Sequence, residues 1–142
     1  MALEGLINKI FKKEPQEIGT LDAGNEEPEV EPHGTNLYEV NTAGFVQEVI
    51  ESDIPVIVDC YTQWCGPCNM MAPIFQKVAA DYDGKVKFVK VDLDRCGPVG
   101  KHFSIRGVPT LLLIKDGMKV NTIVGFSSDN KIRKAVDKLL EN

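Results

Sequence analysis

Two cysteines separated by two residues lie where the sequence changes from strand to helix, in the motif Trp64-Cys65-Gly66-Pro67-Cys68. The apolar, β-branched run 56–61 precedes the motif, and an apolar pattern of helical spacing follows it. A dithiol in this setting is typical of a redox-active pair. A zinc site would need a second pair of suitably spaced ligands, which the remaining candidates do not supply: Cys60, Cys96, His33 and His102. The sequence therefore predicts redox chemistry and no metal.

Each residue of this motif suits disulfide exchange. A free cysteine, with a pKa near about 8.5, is mostly thiol at neutral pH. The first turn of a helix directs unpaired N–H groups at Cys65, which should stabilise its thiolate. We therefore predict that Cys65 is the nucleophile and that Cys68, one turn later, is the more buried resolving thiol. Gly66 and Pro67 set the loop between them, because proline fixes φ and lacks only an N–H that the first turn leaves unpaired.

Two residues outside this motif are unusual for the strands in which they lie or which they precede. Asp59 lies within the apolar strand, where desolvation should raise the pKa of its carboxyl group and let it exchange protons. Pro109 precedes the apolar run 111–114, and we expect it at a strand start because proline cannot donate a hydrogen bond within a central strand.

From residue 37 onwards the hydrophobic pattern alternates between strand and helix. The predicted elements are a strand at 37–40, a helix that Thr42 can cap, a strand at 55–61, a helix at 65–82, a strand at 86–92, a helix at 98–103, strands at 111–115 and 120–124, and a helix that Ser128 or Asp129 caps. Asp116-Gly117 is typical of a hairpin turn between the last two strands. The predicted order is βαβαβαββα.

These motifs, in this order, resemble the thioredoxin family. The resemblance covers essentially all of residues 38–142 and rests on the Cys-x-x-Cys motif, Asp59 and the segment Arg106-Gly107-Val108-Pro109-Thr110. It implies an α/β thioredoxin fold, with a central mixed parallel and antiparallel sheet and helices on both faces. It also implies a protein-disulfide reductase that serves cell redox homeostasis through a reversible Cys65–Cys68 disulfide and needs no other cofactor. The implied partners are a thioredoxin reductase and client proteins that carry disulfides.

The resemblance also implies roles for residues outside the motif. Asp59 would accept the proton of Cys68, and Lys90 would pair with Asp59. The Val108–Pro109 bond would be cis, which leaves the backbone of Val108 free to pair with an extended client. A flat apolar surface around the dithiol would bind that client, and its residues would be Trp64, Gly107, Val108, Pro109, Gly125 and Phe126.

Residues 1–36 are the largest departure from a minimal member of that family. An apolar stripe predicts an amphipathic helix over 1–13, formed by Leu3, Leu6, Ile7, Ile10 and Phe11. Residues 14–36 are acidic and rich in proline and glycine, which predicts a disordered linker before a domain at 37–142. The helix could dock on a partner, on its own domain or on a membrane surface, although three lysines offer little attraction to lipid.

The charge and the cysteine content limit the kinds of partner expected and indicate a compartment. The net charge of −5 lies in residues 1–37, and no basic patch suggests nucleic acid. Four cysteines do not make a disulfide framework, and the first residues lack a signal-peptide pattern, so we expect the reducing cytoplasm. We also expect a monomer.

Two other functions stay open at this point. A thiol oxidase or isomerase would share the fold, but such relatives often carry His where this chain has Pro67. A redox-gated binding module would use the N-terminal extension to hold a client. We expect Cys60 to be an inert apolar residue, and His33 and His102 to be solvated and idle. Cys96, beside Arg95 in a polar loop, is either a merely exposed cysteine or a regulatory one with a lowered pKa.

Overall fold

A six-stranded sheet with helices on both faces forms the fold, and its strand order is β1-β2-β4-β3-β5-β6. The computed structural model describes residues 21–141, so the helix predicted over 1–13 and the first part of the predicted linker lie outside the described residues. The strands are β1 (Val30–Gly34), β2 (Leu37–Val40), β3 (Val56–Tyr61), β4 (Lys87–Asp92), β5 (Thr110–Lys115) and β6 (Met118–Val124). The helices are α1 (Thr42–Phe45), which continues as a π-helical turn (Val46–Ile50), α2 (Gly66–Ala80), α3 (Gly97–His102) and α4 (Asp129–Leu140).

The sheet is mixed, as predicted. β2, β4 and β3 run parallel, whereas β1 pairs antiparallel with β2, and β5 and β6 extend the sheet antiparallel from β3. Asp59 therefore lies on a central strand, with Lys90 of β4 on one side and Leu111 of β5 on the other. In β6, the strand at the opposite edge, most side chains are exposed.

Alternating side chains of β3 supply two separate cores, one on each face of the sheet. Val56, Val58 and Cys60 belong to the core that includes residues of α1 and α3. Ile57 belongs to the opposite core, which α2 and α4 complete. Because Asp59 is two residues beyond Ile57, its side chain lies on the α2 face.

Oxygen-bearing side chains cap two of the described helices, α1 and α4. Asn41, not the predicted Thr42, caps α1, because its side chain accepts the N–H of Gly44 at 2.8 Å. Ser128 caps α4 as predicted and accepts the N–H of Lys131 at 3.2 Å. Each cap satisfies one of the N–H groups that the first helical turn leaves free.

The prediction of a disordered linker over 14–36 is wrong where the structure describes a strand. β1 pairs with β2, and Leu21 is buried in the core on the α1 face. Asn41 also accepts the N–H of Glu29 and donates to the carbonyl oxygen of Glu27, both at 2.8 Å. An edge strand is held by its backbone and needs few apolar side chains, so an acidic segment with prolines can still form one. Within the described residues, no helix is both long enough and apolar enough to cross a bilayer.

Candidate active site

The dithiol lies where β3 gives way to α2. Cys65 is the N-cap of α2, in an extended conformation, and Cys68 lies one turn into the helix. The two residues form a disulfide, with their Cα atoms 5.2 Å apart. The backbone N–H of Cys68 donates to the sulfur of Cys65, at 3.2 Å. In the reduced protein this N–H and the helix dipole would both stabilise a thiolate on Cys65.

Both sulfur-bearing residues are largely covered by protein. Cys65 is 5% exposed and Cys68 is 2% exposed, so the small accessible part of the pair lies at Cys65. Gly66 has open space beside its Cα, and Pro67 occupies the first turn of α2, where it removes no helical hydrogen bond. Cys65 is thus slightly the more exposed of the two cysteines, and the loop between them borders open space at Gly66.

Asp59 is a buried carboxyl group on the same side of the sheet as Cys68. Cys68 shares a helical stripe of α2 with Met71 and Phe75, which pack in the core on the Asp59 face. Asp59 is 1% exposed, and neither of its oxygens has a hydrogen-bond partner. Burial raises the pKa of this carboxyl group to about 7, and the positive charge of Lys90 opposes that rise. At neutral pH Asp59 can therefore both hold and release a proton.

Lys90 is beside Asp59 in the sheet, although no ion pair joins them within residues 21–141. The two residues are register partners on β3 and β4. The ammonium group of Lys90 lies over the ring of Tyr61, with Nζ 4.6 Å from the ring centroid. The hydroxyl of Tyr61 in turn donates to a carboxylate oxygen of Glu39. Burial raises the pKa of Tyr61, and this hydrogen bond raises it further.

The turn before β5 meets the dithiol. The Val108–Pro109 peptide bond is cis, which confirms the expectation from the family resemblance. The carbonyl oxygen of Val108 lies 3.7 Å from the sulfur of Cys65, and the N–H of Gly125 donates to the carbonyl oxygen of Pro109 at 2.8 Å. Val108, Pro109 and Gly125 are therefore brought together beside the disulfide.

Two large apolar side chains are exposed near this turn. Trp64, next to Cys65, is 74% exposed, and its indole N–H donates to a carboxylate oxygen of Asp94 at 3.0 Å. Phe126, next to Gly125, is 43% exposed. A Cβ atom at Gly107 would meet nothing within 4 Å, so the backbone there borders open space. Such exposed aromatic groups beside accessible backbone are typical of a peptide-binding surface.

The two remaining cysteines are free and buried. Cys60 is fully buried, and burial raises the pKa of its thiol well above the usual range. The expectation of an exposed or activated Cys96 is wrong. Cys96 is 1% exposed, and burial raises the pKa of its thiol, which outweighs the opposite effect of Arg95. Its sulfur lies 3.7 Å from the carbonyl oxygen of Val40, because the loop packs inward against β2.

Sequence reasoning missed three contacts around the site. They are the Trp64–Asp94 hydrogen bond, the Tyr61–Glu39 hydrogen bond and the approach of His33 Nε2 to Glu39 Oε1, at 3.5 Å. For Glu39, the sequence offered one signal of a special role, namely that a charged residue lies within the short, otherwise mostly apolar strand β2. Residues 21–141 contain no group of three or more histidine, cysteine or acidic side chains arranged to hold a metal ion.

Comparison with known proteins agrees with this geometry. The sequence profile of the family described as Thioredoxin matches residues 36–138. Thioredoxin 1 of Synechococcus elongatus is 45% identical over 101 residues, which cover 71% of this chain and 94% of that protein. Thioredoxin 1 of Nostoc sp. is 41% identical over 102 residues, covering 72% and 95%, and the thioredoxin of Pseudomonas aeruginosa is 40% identical over 102 residues, covering 72% and 94%. The chain belongs to the thioredoxin family and is a protein-disulfide reductase whose redox centre is the Cys65–Cys68 pair.

Proposed function

We propose that Cys65 attacks client disulfides, that Cys68 resolves the resulting intermediate, and that Asp59 accepts the proton of Cys68. The observation that most supports these roles is the asymmetry of the pair. The sulfur of Cys65 accepts a backbone N–H at the helix N-terminus, whereas Cys68 is buried on the face that carries Asp59.

In the first step the Cys65 thiolate attacks one sulfur of the client disulfide. A bond forms between Cys65 and that sulfur, and the client's other sulfur leaves as a thiolate. The N–H of Cys68 and the dipole of α2 favour the thiolate at Cys65 before the attack. The product is a mixed disulfide between this chain and the client.

In the second step Cys68 releases the client. Its thiol gives a proton to Asp59, and the resulting thiolate attacks the sulfur of Cys65, so that the Cys65–Cys68 bond forms and the bond to the client breaks. Two electrons pass to the client, whose sulfurs take up protons from solvent. Asp59 suits this role because its pKa of about 7 lets it gain and lose a proton near neutral pH.

The client is bound as an extended segment across the turn before β5. The backbone of Val108 would pair with it, and the exposed rings of Trp64 and Phe126 would cover its side chains. Gly107 and Gly125 leave room for the client's backbone, since a Cβ atom at either position would meet nothing within 4 Å. This recognition is largely independent of client sequence, which suits a general reductase.

We further propose that the chain acts as a monomer in the cytoplasm, where a thioredoxin reductase returns the disulfide to the dithiol. The free cysteines Cys60 and Cys96 suit a reducing compartment. The proposal places the catalytic and client-binding residues within 37–142 and includes no membrane contact for residues 1–13.

Substitution of each cysteine separately tests the assigned roles. Cys68→Ser cannot complete the second step, so it should accumulate a mixed disulfide with a peptide disulfide substrate, visible by mass spectrometry as an adduct on Cys65. Cys65→Ser is the matched control, and it should form little adduct because Cys68 is buried. Equal adduct formation by both variants would contradict the assignment of nucleophile and resolving thiol.

A further inference from the structure

Charged side chains form a row across the sheet that ends at Asp59. Register pairs link Glu31 of β1 to Glu39 of β2, Glu39 to Lys90 of β4, and Lys90 to Asp59 of β3. Beyond Asp59 the row continues with Leu111, which carries no charge. Lys90 is therefore the only cation of this row, and carboxylates lie on both sides of it.

Tyr61 contacts two members of the row, Lys90 and Glu39. Its ring covers the ammonium group of Lys90, with 4.6 Å from Nζ to the ring centroid, and its hydroxyl donates to Glu39. The side chain of Glu39 is only 13% exposed, and its other oxygen lies 3.5 Å from Nε2 of His33. Glu39 is thus held beside Lys90 by a hydrogen bond that reaches from β3 across β4 to β2.

We propose that Glu39 and Tyr61 are positioning residues that raise the proton affinity of Asp59: the negative charge of Glu39 acts on Asp59 across the row, and Tyr61 holds that charge in place. The inference rests on the proposed role of Asp59 in the second step. Lys90 lowers the proton affinity of Asp59, and the negative charge of Glu39 raises it again. Tyr61 acts through Glu39, because its hydroxyl fixes the carboxylate beside Lys90.

Other groups that face Asp59 do not supply this effect. From β4, Asp92 is the register partner of Tyr61 and not of Asp59, and the charges that act on Asp59 are those of Lys90 and Glu39. From α2 the facing group is Cys68, which does not titrate while it is in the disulfide. The residues that α4 packs against this face are apolar: Ile132, Val136 and Leu139. Glu31, at the outer end of the row, has a side chain that is 75% exposed and is screened by solvent.

The test is a titration of the Asp59 carboxyl group, monitored by carbon NMR. The disulfide form is used because neither Cys65 nor Cys68 ionises in it. Removal of the Glu39 charge by Glu39→Gln should lower the titration midpoint of Asp59 by about 0.6–1.2 pH units, given charges about 10 Å apart and an effective dielectric constant of about 20–40. Tyr61→Phe should lower the midpoint by less. The double variant should match Glu39→Gln alone, because Tyr61 acts only through Glu39.

Two controls separate charge from structure. Glu31→Gln removes a carboxylate from the same row and should leave the midpoint of Asp59 where it is. Glu39→Asp keeps the negative charge, so the midpoint of Asp59 in this variant should stay close to that of the wild type. This variant keeps the inference testable if Glu39→Gln folds poorly. An unchanged or raised midpoint in Glu39→Gln would overturn the inference. Additive effects of Glu39→Gln and Tyr61→Phe would overturn the claim that Tyr61 acts through Glu39.

The same variants distinguish this inference from the proposed function. The rate of client release from the mixed disulfide is measured against pH for the wild type and for Glu39→Gln. A profile that moves with the Asp59 midpoint supports both proposals. A lowered midpoint with an unmoved profile supports the positioning role and refutes Asp59 as the proton acceptor.

Discussion

Asp59 should make the protein less stable as the pH rises, and Asp59→Asn should remove that dependence. The folded protein binds a proton on Asp59 with a pKa of about 7, whereas the ordinary value is 3.8. Between these two values the folded state holds a proton that the unfolded state has released, so the free energy of unfolding falls as pH rises. The fall begins near the lower value and is complete above the higher one.

The magnitude follows from the separation of the two pKa values. At about 1.36 kcal/mol per pKa unit, the ionisable carboxyl group costs about 4 kcal/mol of stability above pH 7 and about 1.6 kcal/mol at pH 5. The amide introduced by Asp59→Asn is neutral at every pH and has nearly the same shape as the protonated acid. The stability of Asp59→Asn relative to the wild type should therefore rise by about 2–3 kcal/mol between pH 5 and pH 9.

The assay is urea unfolding of the disulfide form, followed by circular dichroism at pH 5, 7 and 9. Any constant cost of burying the amide cancels, because only the change with pH is compared. Asp116→Asn, in the exposed turn between β5 and β6, reports the effect of removing a surface carboxylate. If the difference between Asp59→Asn and the wild type is the same at all three pH values, the raised pKa of Asp59 is refuted.

Two further substitutions test the packing that positions the site. Gly44→Ala should destabilise the protein by about 1–3 kcal/mol in urea unfolding, because the added Cβ would clash with the carbonyl oxygen of Glu29. Gly97→Ala is the control, since a Cβ at that position meets nothing within 4 Å. Equal stability of the two variants would contradict the close approach at Gly44. Phe75→Ala should cost about 3–5 kcal/mol, because it empties a fully buried position against Phe88, with ring centroids 4.9 Å apart. The exposed Met70 of the same helix gives the control Met70→Ala, and a loss in Phe75→Ala no larger than in this control would contradict the packing.

The sequence predicted those parts of the site that depend on local pattern. An apolar run marks β3 as buried whatever surrounds it, so the desolvation of Asp59 could be inferred before any contact was known. The change from that run to helical spacing located Cys65 at the start of α2. The cis bond before Pro109 was expected only from the family resemblance, because composition and spacing do not distinguish cis from trans.

The parts that were missed depend on tertiary contacts. The hydrogen bond between Tyr61 and Glu39 joins strands that are not adjacent in the sheet, so it needs the register of β2, β4 and β3. The burial of Cys96 needs the loop after β4 to fold against β2, and a polar loop sequence does not indicate that. The strand β1 was missed because its residues are mostly exposed and include Pro32 and Gly34, and because its pairing is made by the backbone.

The strand β1 also protects the sheet from other chains. Without it β2 would be the outermost strand, and its free N–H and C=O groups would offer a template for aggregation. β1 covers that edge with Glu31, Pro32 and His33, and a proline and charged groups disfavour the addition of another strand. The family match begins only at residue 36. A chain cut at residue 36 would lose this protective strand. The match to the family therefore begins inside the six-stranded sheet, and residues before the match are needed to shield the edge of β2 from other chains.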